Sequence, residues 1–462
     1  MAVILGLASL LWIRSPVHTM WALQHQLPSA LVVISGFLFD FALFLVPGLA
    51  VAKLIFHRRP QMNPIYLVAV IVTTGAGLGY VSFWAFFFSM PLGRMLSYVV
   101  YTVSLGNLLL TSRSRDTSKQ IIKAVGAPFF YSALAGLTYL CFFFLFIDPL
   151  SSGVWSPKTS IATWYAGVRF FDQIHPGDNQ IPLIFADRIY DRGPLRPFCC
   201  GDWLSSDRPP LQSGIVLLER PIHVIPKLEL DYELLTAGLQ CLWICGVWCL
   251  LRSLGASDLI TRRLLAFLIF SGFLFLNSVY TWPKLLSAAF LFFVISIIIA
   301  IIRRNQPATA LESVVAAACV GLTLLAHPGS VFSLCSIALL MLYFRRLFPV
   351  RHIGLSFATL CMLILPWSAY QKFVDPPGNR LLKTHLASVI PIDNRSTWQA
   401  LRDSYRSLTF VQIIQFKWEN VKFLAGHKPL DLFGLDCFNF RKGMLSEPRD
   451  KDERAALIQA AA

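Results

Sequence analysis

The chain has 462 residues, of which 56% are hydrophobic and 14% charged, with a mean hydropathy of +0.61. Soluble globular proteins carry about 25% charged residues, so this composition excludes an ordinary soluble enzyme, a disordered chain and a small disulfide-stapled module. The 40 Lys+Arg against 25 Asp+Glu leave +15, and in so apolar a chain that balance reports how charges are ordered along membrane spans, not a nucleic-acid partner.

The opening apolar run, residues 2–13, is too short to span and reads as an interfacial or re-entrant segment. A spanning helix needs roughly 20 mostly apolar residues. Uncharged runs predict ten spans, at about 29–52, 65–90, 95–110, 124–147, 234–251, 264–280, 285–302, 307–326, 329–344 and 352–371, the third and ninth being short. The expected fold class is therefore all-α, a polytopic transmembrane helix bundle.

Basic residues follow the odd-numbered spans: Lys53, Arg58 and Arg59; Arg113, Arg115, Lys119 and Lys123; Arg252, Arg262 and Arg263; Arg303 and Arg304; Arg345, Arg346 and Arg351. The short even-numbered connections hold only Arg94 and Lys284. The positive-inside rule puts the odd connections in the cytoplasm. Four segments result: N-terminal membrane helices over 1–147 (four spans), an extracytoplasmic loop over 148–233, a membrane bundle over 234–371 (six spans) and an extracytoplasmic tail over 372–462. The tail carries helical apolar spacing over 410–423, a surface helix. The expected location is the plasma (inner) membrane. Cys241, Cys245 and Cys249 share one helix face and read as small packing residues. Cys199 and Cys200 are adjacent in the loop, with Cys437 as a candidate partner.

The loop holds eleven acids against eight bases and is the one acidic segment of the chain. Its stretch DQIHPGDNQIPLIFADRIYDRGPLRPFCCGDWLSSDRPPLQSG contains Asp172, Asp178, Asp187, Asp191, Asp202 and Asp207. Residues 178–192 fit a short amphipathic helix, with Asp178 as N-cap, Pro182 in the first turn and Ile181, Ile184, Phe185 and Ile189 on one face. Such a helix is expected to lie flat on the membrane. Gly201-Asp202-Trp203 follows, then Asp207-Arg208-Pro209-Pro210-Leu211, whose prolines stiffen the chain beside an acid and a base.

An acid before an amphipathic helix containing Ala186, then Gly-Asp-Trp, then Pro-Pro-Leu leading back to the membrane resembles the first external loop of the GT-C superfamily of polytopic glycosyltransferases. That group includes protein O-mannosyltransferases, aminoarabinose transferases and RgtA/B/C/D-like enzymes. The resemblance covers about 40 residues closely. It implies transfer of a sugar from a polyprenyl-phosphate carrier to a glycan, lipid or protein acceptor outside the cytoplasm, with Asp178 matching the loop carboxylate that serves as general base or orients the acceptor.

Such chemistry needs a base at the acceptor hydroxyl and cations at the departing phosphate. The candidates for substrate binding on the external side are Asp207 and Arg208, Lys284 in Tyr280-Thr281-Trp282-Pro283-Lys284, His327 in His327-Pro328-Gly329-Ser330, and Arg380, Lys383 and His385 beyond the tenth span. Each also has a bland reading: a helix cap for Asp178 and His327, an ion pair at a turn for Asp207 and Arg208, a snorkelling lysine for Lys284, headgroup contact for the last group. No metal site is expected from spacing, although oxygen ligands in the loop are compatible with a divalent cation, Mg2+ or Mn2+. Asp40, in the middle of the first span, is a functional candidate by position. Together with the glycine-rich second span it supports an alternative, a transporter or flippase of lipid-linked glycans. A non-catalytic subunit of envelope-polysaccharide assembly is the third reading.

Overall fold

The computed structural model describes residues 26–58, 62–110, 115–147, 180–196, 204–223, 229–389, 392–406 and 408–425. The 2–13 segment, Asp178, the Gly201–Trp203 motif and Cys199, Cys200 and Cys437 lie outside the described residues.

Among the described residues the chain is all-helical. The helices are α1 (Gln26–Arg58), α2 (Pro64–Phe88), α3 (Met90–Leu110), α4 (Arg115–Ile147), α5 (Ile181–Tyr190), α6 (Leu211–Glu219), α7 (Glu229–Cys241), α8 (Trp243–Ser253) and α9 (Asp258–Ile269). They continue as α10 (Gly272–Val279), α11 (Lys284–Arg304), α12 (Ala310–Ala326), α13 (Val331–Tyr343), α14 (Val350–Ala369), α15 (Arg380–Ala387), α16 (Thr397–Arg406) and α17 (Phe410–Ala425). Six stretches are long and apolar enough to cross a membrane: Val33–Arg58, Pro64–Phe88, Gln120–Cys141, Asp231–Ser253, Lys284–Arg304 and Val350–Val374. All ten predicted runs are largely helical, but four of them are not among these six stretches: α3 is absent from them, α9 and α10 meet at a 72° bend, and α12 and α13 are shorter apolar helices.

Local sequence explains the helix ends. Asn63 caps α2 by accepting from the Ile65 N–H at 3.0 Å, with Pro64 in the first turn. Asn305 ends α11 in the left-handed region, φ 53°. Thr309 and Glu312 form a capping box at α12, and Glu312 also accepts two hydrogen bonds from Arg304, at 2.8 and 3.0 Å.

The connections sort to two ends of the bundle. At one end Lys53 donates to the Leu108 carbonyl, Arg303 to the Ser253 carbonyl and Arg304 to Glu312. These are the basic, odd-numbered connections. At the opposite end Arg94 donates to Tyr190 (3.2 Å), Arg192 to the Phe87 carbonyl (2.8 Å), and Ser287 and Ser330 share a hydrogen bond of 2.9 Å. The sidedness expected from charge is thus a sidedness of contacts. The outer faces of α13 and α14 are apolar and exposed, with Phe332, Leu339, Leu342, Phe357, Met362 and Leu365 turned outward, and within Val350–Val374 only Trp367 and Tyr370 are buried. A surface of that kind suits lipid and not water.

The described part of the 148–233 segment packs closely against the bundle. All of α6 except Val216 is buried, and it packs into the bundle against α2 and α3. The approach is made at backbone level: a Cβ at Gly214 would collide with the Gly79 carbonyl, and one at Gly79 with Ile215. Such small-residue contacts are how helices approach closely in lipid. The expected cap, Asp178, lies outside the described residues, and the amphipathic helix α5 begins at Ile181 with Gln180 at its cap position. Its apolar face does not lie on the membrane. Phe185 packs on Phe83, Trp367 and Tyr370, with ring centroids 5.2, 6.5 and 5.9 Å apart. The physical reason is that a face of Ile181, Phe185 and Ile189 buries more completely against aromatic side chains of the bundle than against headgroups.

Gly214→Val lowers the unfolding midpoint of the detergent-purified protein, by an amount corresponding to about 2–3 kcal/mol. Gly77→Ala, where nothing lies within 4 Å of the added methyl, leaves the midpoint unchanged or raises it, since alanine is better than glycine in a helix by about 1 kcal/mol. Thermal unfolding followed by circular dichroism measures both.

Candidate functional site

The site is built where the 204–208 turn meets the end of α14. Asp207 closes the turn by accepting from the Leu204 N–H at 2.9 Å, and its same Oδ2 accepts from Arg380 Nη1 at 2.9 Å. Burial pushes the Asp207 carboxyl up from its ordinary value, against the pull of the Leu204 N–H and of Arg380. Its other oxygen, Oδ1, is buried without a hydrogen bond.

The turn is fastened to the π-helical residues Tyr370–Val374 and to Asp375. Ser205 Oγ donates to Asp375 Oδ2 at 2.6 Å and lies 2.6 Å from Tyr370 Oη. The Ser206 N–H also donates to Asp375, at 3.1 Å, and Gln371 donates to the Ser206 carbonyl at 3.1 Å. Arg196, just after α5, clasps Asp375 from its other side.

Arg208 reaches the turn before α11, while its charge still acts on Asp207. Its guanidinium lies 4.9 Å from the centre of the Trp282 ring, and the Lys284 ammonium lies 4.1 Å from the centre of the same ring. Two glutamines set this geometry. Gln212 in α6 donates to the Thr281 carbonyl at 2.6 Å, pinning the turn before Trp282. Gln240 in α7 accepts from the Leu285 and Leu286 N–H groups, both at 3.1 Å, which caps α11 and fixes Lys284 at its start. Trp282 Nε1 is buried and donates to no group. The result is a cationic, aromatic corner at a helix N-terminus, an arrangement suited to an anion.

The remaining candidates fall differently. His327 Nδ1 accepts from the Gly329 N–H at 3.2 Å, the capping role that the sequence allows for it. Its turn joins the start of α11 through Ser330 and Ser287. Arg380 is the partner of Asp207, so these two form an ion pair across the chain, where the sequence suggested a pair between neighbours Asp207 and Arg208. Lys383 is fully buried and donates to Asp393 Oδ1 at 2.5 Å and to the carbonyls of Asp393 and Arg395. It holds the chain after α15 in place. The side chain of His385 and the whole of Asp178 lie outside the described residues.

A second polar cluster sits deeper, where α6 ends against α1. Asp40 and Glu219 are each 1% exposed, and none of their four carboxylate oxygens accepts a hydrogen bond. His223 Nε2 lies 3.3 Å from Asp40 and 3.8 Å from Glu219, and its Nδ1 lies 3.7 Å from Asp231. Sequence reasoning found Asp40 but missed Glu219 and His223. The signal available was the polar pair at i, i+4 in Glu219-Arg220-Pro221-Ile222-His223, closing an otherwise apolar helix.

No protein-family model, curated protein or solved structure matches the chain.

The hydrogen bond from Lys383, with those from Arg395, holds the Asp393 carboxyl down to about 2. An unfolded aspartate titrates at about 3.9. Because the folded value is the lower one, the pair stabilises the fold fully above about pH 4, and that contribution is lost as pH falls towards 2. Asp393→Asn therefore lowers the unfolding midpoint at pH 7, by the equivalent of about 2 kcal/mol for a buried ammonium losing its carboxylate. It also flattens the dependence of the midpoint on pH between about 4 and 2. Thermal scans of both proteins across that range check this.

Proposed function

We propose that the protein is a ten-span glycosyltransferase of the GT-C type in the plasma (inner) membrane, with residues 148–233 and 372–462 on the extracytoplasmic side. It takes a sugar from a polyprenyl-phosphate donor and passes it to a glycan, lipid or protein acceptor. The reading rests on the corner in which Arg208 and Lys284 share the Trp282 ring, with the buried indole N–H beside them. A phosphate leaving a sugar gains negative charge in the transition state, and two preset cations and an uncommitted N–H donor favour that state over the ground state. The aromatic ring at this end of the bundle suits a group that meets the headgroup layer.

The other residues take positioning roles. Asp207, Arg380, Ser205 and Asp375 hold the turn that presents Arg208. Gln212 and Gln240 hold the turn that presents Lys284. Asp178, two residues before the Gln180 cap of α5 in the sequence, is the general base that removes the proton of the acceptor hydroxyl. Its identification comes from the resemblance of the loop motif, and the reaction needs one such carboxylate.

A second reading, transport of a lipid-linked glycan, is favoured by one observation, the cluster of Asp40, Glu219 and His223 within the bundle. Ionisable groups at that depth are typical of transport pathways.

Proteoliposomes loaded with radiolabelled polyprenyl-phosphate sugars separate the readings. Asp178→Asn lowers transfer to acceptor by about 100-fold or more, and Lys284→Gln by about 10- to 100-fold, with unchanged amounts of protein in the membrane. Retention of full activity by Asp178→Asn overturns its role as base. Movement of intact glycolipid across the bilayer, abolished by Asp40→Asn with no glycosidic bond formed, favours the transporter. Neither activity in either assay leaves the non-catalytic subunit.

A further inference from the structure

The Asp40, Glu219 and His223 cluster has no part in the transfer chemistry proposed above, and its geometry is unusual for a bundle interior. Two carboxylates are buried together, none of their oxygens accepts a hydrogen bond, and the nearest basic atom is an imidazole nitrogen. Carboxylates taken out of water without compensation are costly by several kcal/mol each. Arg220, the neighbour of Glu219, does not compensate them. It points to α5, where it pairs with Asp187 and stacks 4.1 Å from the centre of the Tyr190 ring. Tyr101, beside the two acids, is itself buried with a hydroxyl that makes no hydrogen bond.

The donor atoms are spaced as metal ligands are. One oxygen from each acid and one nitrogen of His223 all lie within 4.8 Å of one another. The His223 nitrogen is 3.3 Å from Asp40 and 3.8 Å from Glu219. A tetrahedral zinc ion with bonds of about 2.0–2.1 Å places its ligand atoms about 3.3 Å apart. A further, independent observation concerns the other ring nitrogen. His223 Nδ1 faces Asp231 at 3.7 Å, the outer carboxylate that commonly orients a metal-binding histidine and raises its basicity. The Phe39 ring, edge-on to the imidazole with centroids 5.6 Å apart, fixes the plane of that ring.

We infer that Asp40, Glu219 and His223 bind a divalent transition-metal ion of the zinc class. A set of one imidazole and two carboxylates suits zinc better than magnesium or calcium, which prefer all-oxygen shells. Three protein donors leave a fourth position for water. The ion ties α1, through Asp40, to the segment after α6, through Glu219 and His223, so that it fastens the inserted loop to the first spanning helix.

The test uses the full chain purified in detergent, stripped with EDTA, dialysed against Zn2+ and measured for bound metal by mass spectrometry. The wild type retains roughly one zinc per chain, and its unfolding midpoint rises when zinc is returned. Asp40→Asn with Glu219→Gln loses the bound zinc and the zinc-dependent rise. Asp231→Asn keeps the stoichiometry but weakens affinity roughly 10- to 100-fold. Asp258→Asn, an exposed acid at the opposite end of the bundle, matches the wild type. If the double variant does not elute as a single folded species, His223→Gln alone carries the same expectation. Absence of retained zinc in the wild type, or equal zinc content in a folded cluster variant, overturns the inference. Transfer activity is not read, so the outcome is independent of the glycosyltransferase proposal.

Discussion

The contact on which the rest depends is the meeting of two glycine backbones, Gly79 on α2 and Gly214 on α6. In lipid there is little hydrophobic force between helices, so close backbone approach and satisfied polar groups decide which segments associate. This contact draws α6, a nine-residue helix, into a bundle of much longer ones. Once α6 is inside, the residues flanking it have fixed places. Upstream, the 204–208 turn is held at one end of the bundle, where Asp375 and Arg380 reach it. Downstream, Glu219 and His223 arrive beside Asp40. Gln212 and Gln240 then connect α6 and α7 to the start of α11. Two of the polar clusters among the described residues are therefore placed by the two ends of one short inserted helix.

Much of the membrane architecture was legible in the sequence. Long uncharged runs and the placement of arginine and lysine are one-dimensional signals, and they anticipated the helices and the separation of Arg303 and Arg304 from Lys284. The amphipathic pattern over 178–192 likewise pointed to α5, with Pro182 in the first turn and Phe185 and Ile189 on the buried face. What the pattern could not specify was the surface that this face would meet, because lipid and protein both reward the same apolar stripe. α6 escaped for a different reason. It is too short for a hydropathy window tuned to spans, and it follows Pro209-Pro210, which reads as loop.

The candidate site was legible as a set of residue types but not as a set of partners. Asp207 and Arg208 are adjacent in sequence, yet one faces Arg380 and the other Trp282. Asp207 ends a short 3-10 turn and Arg208 follows it in extended backbone, so the two side chains meet different neighbours. Lys383 looked like a cation available at the surface, whereas its acceptors come from a later turn at Asp393 and Arg395 that has no apolar signature. Glu219 and His223 carried no signal strong enough to stand beside Asp40, because their significance lies only in the distance between α1 and the end of α6.

The ion pair between Asp207 and Arg380 joins positions 173 residues apart. In a chain made from its N-terminus at about 5–20 residues per second, roughly 10–35 s separate the synthesis of the two halves of that pair. Six predicted spans must be threaded into the membrane in the interval. Asp207 and the Ser205 hydroxyl therefore wait, with their later partners absent, until the last span has been delivered. The polar end of this protein is a late product of its own insertion, completed after the bundle that carries it.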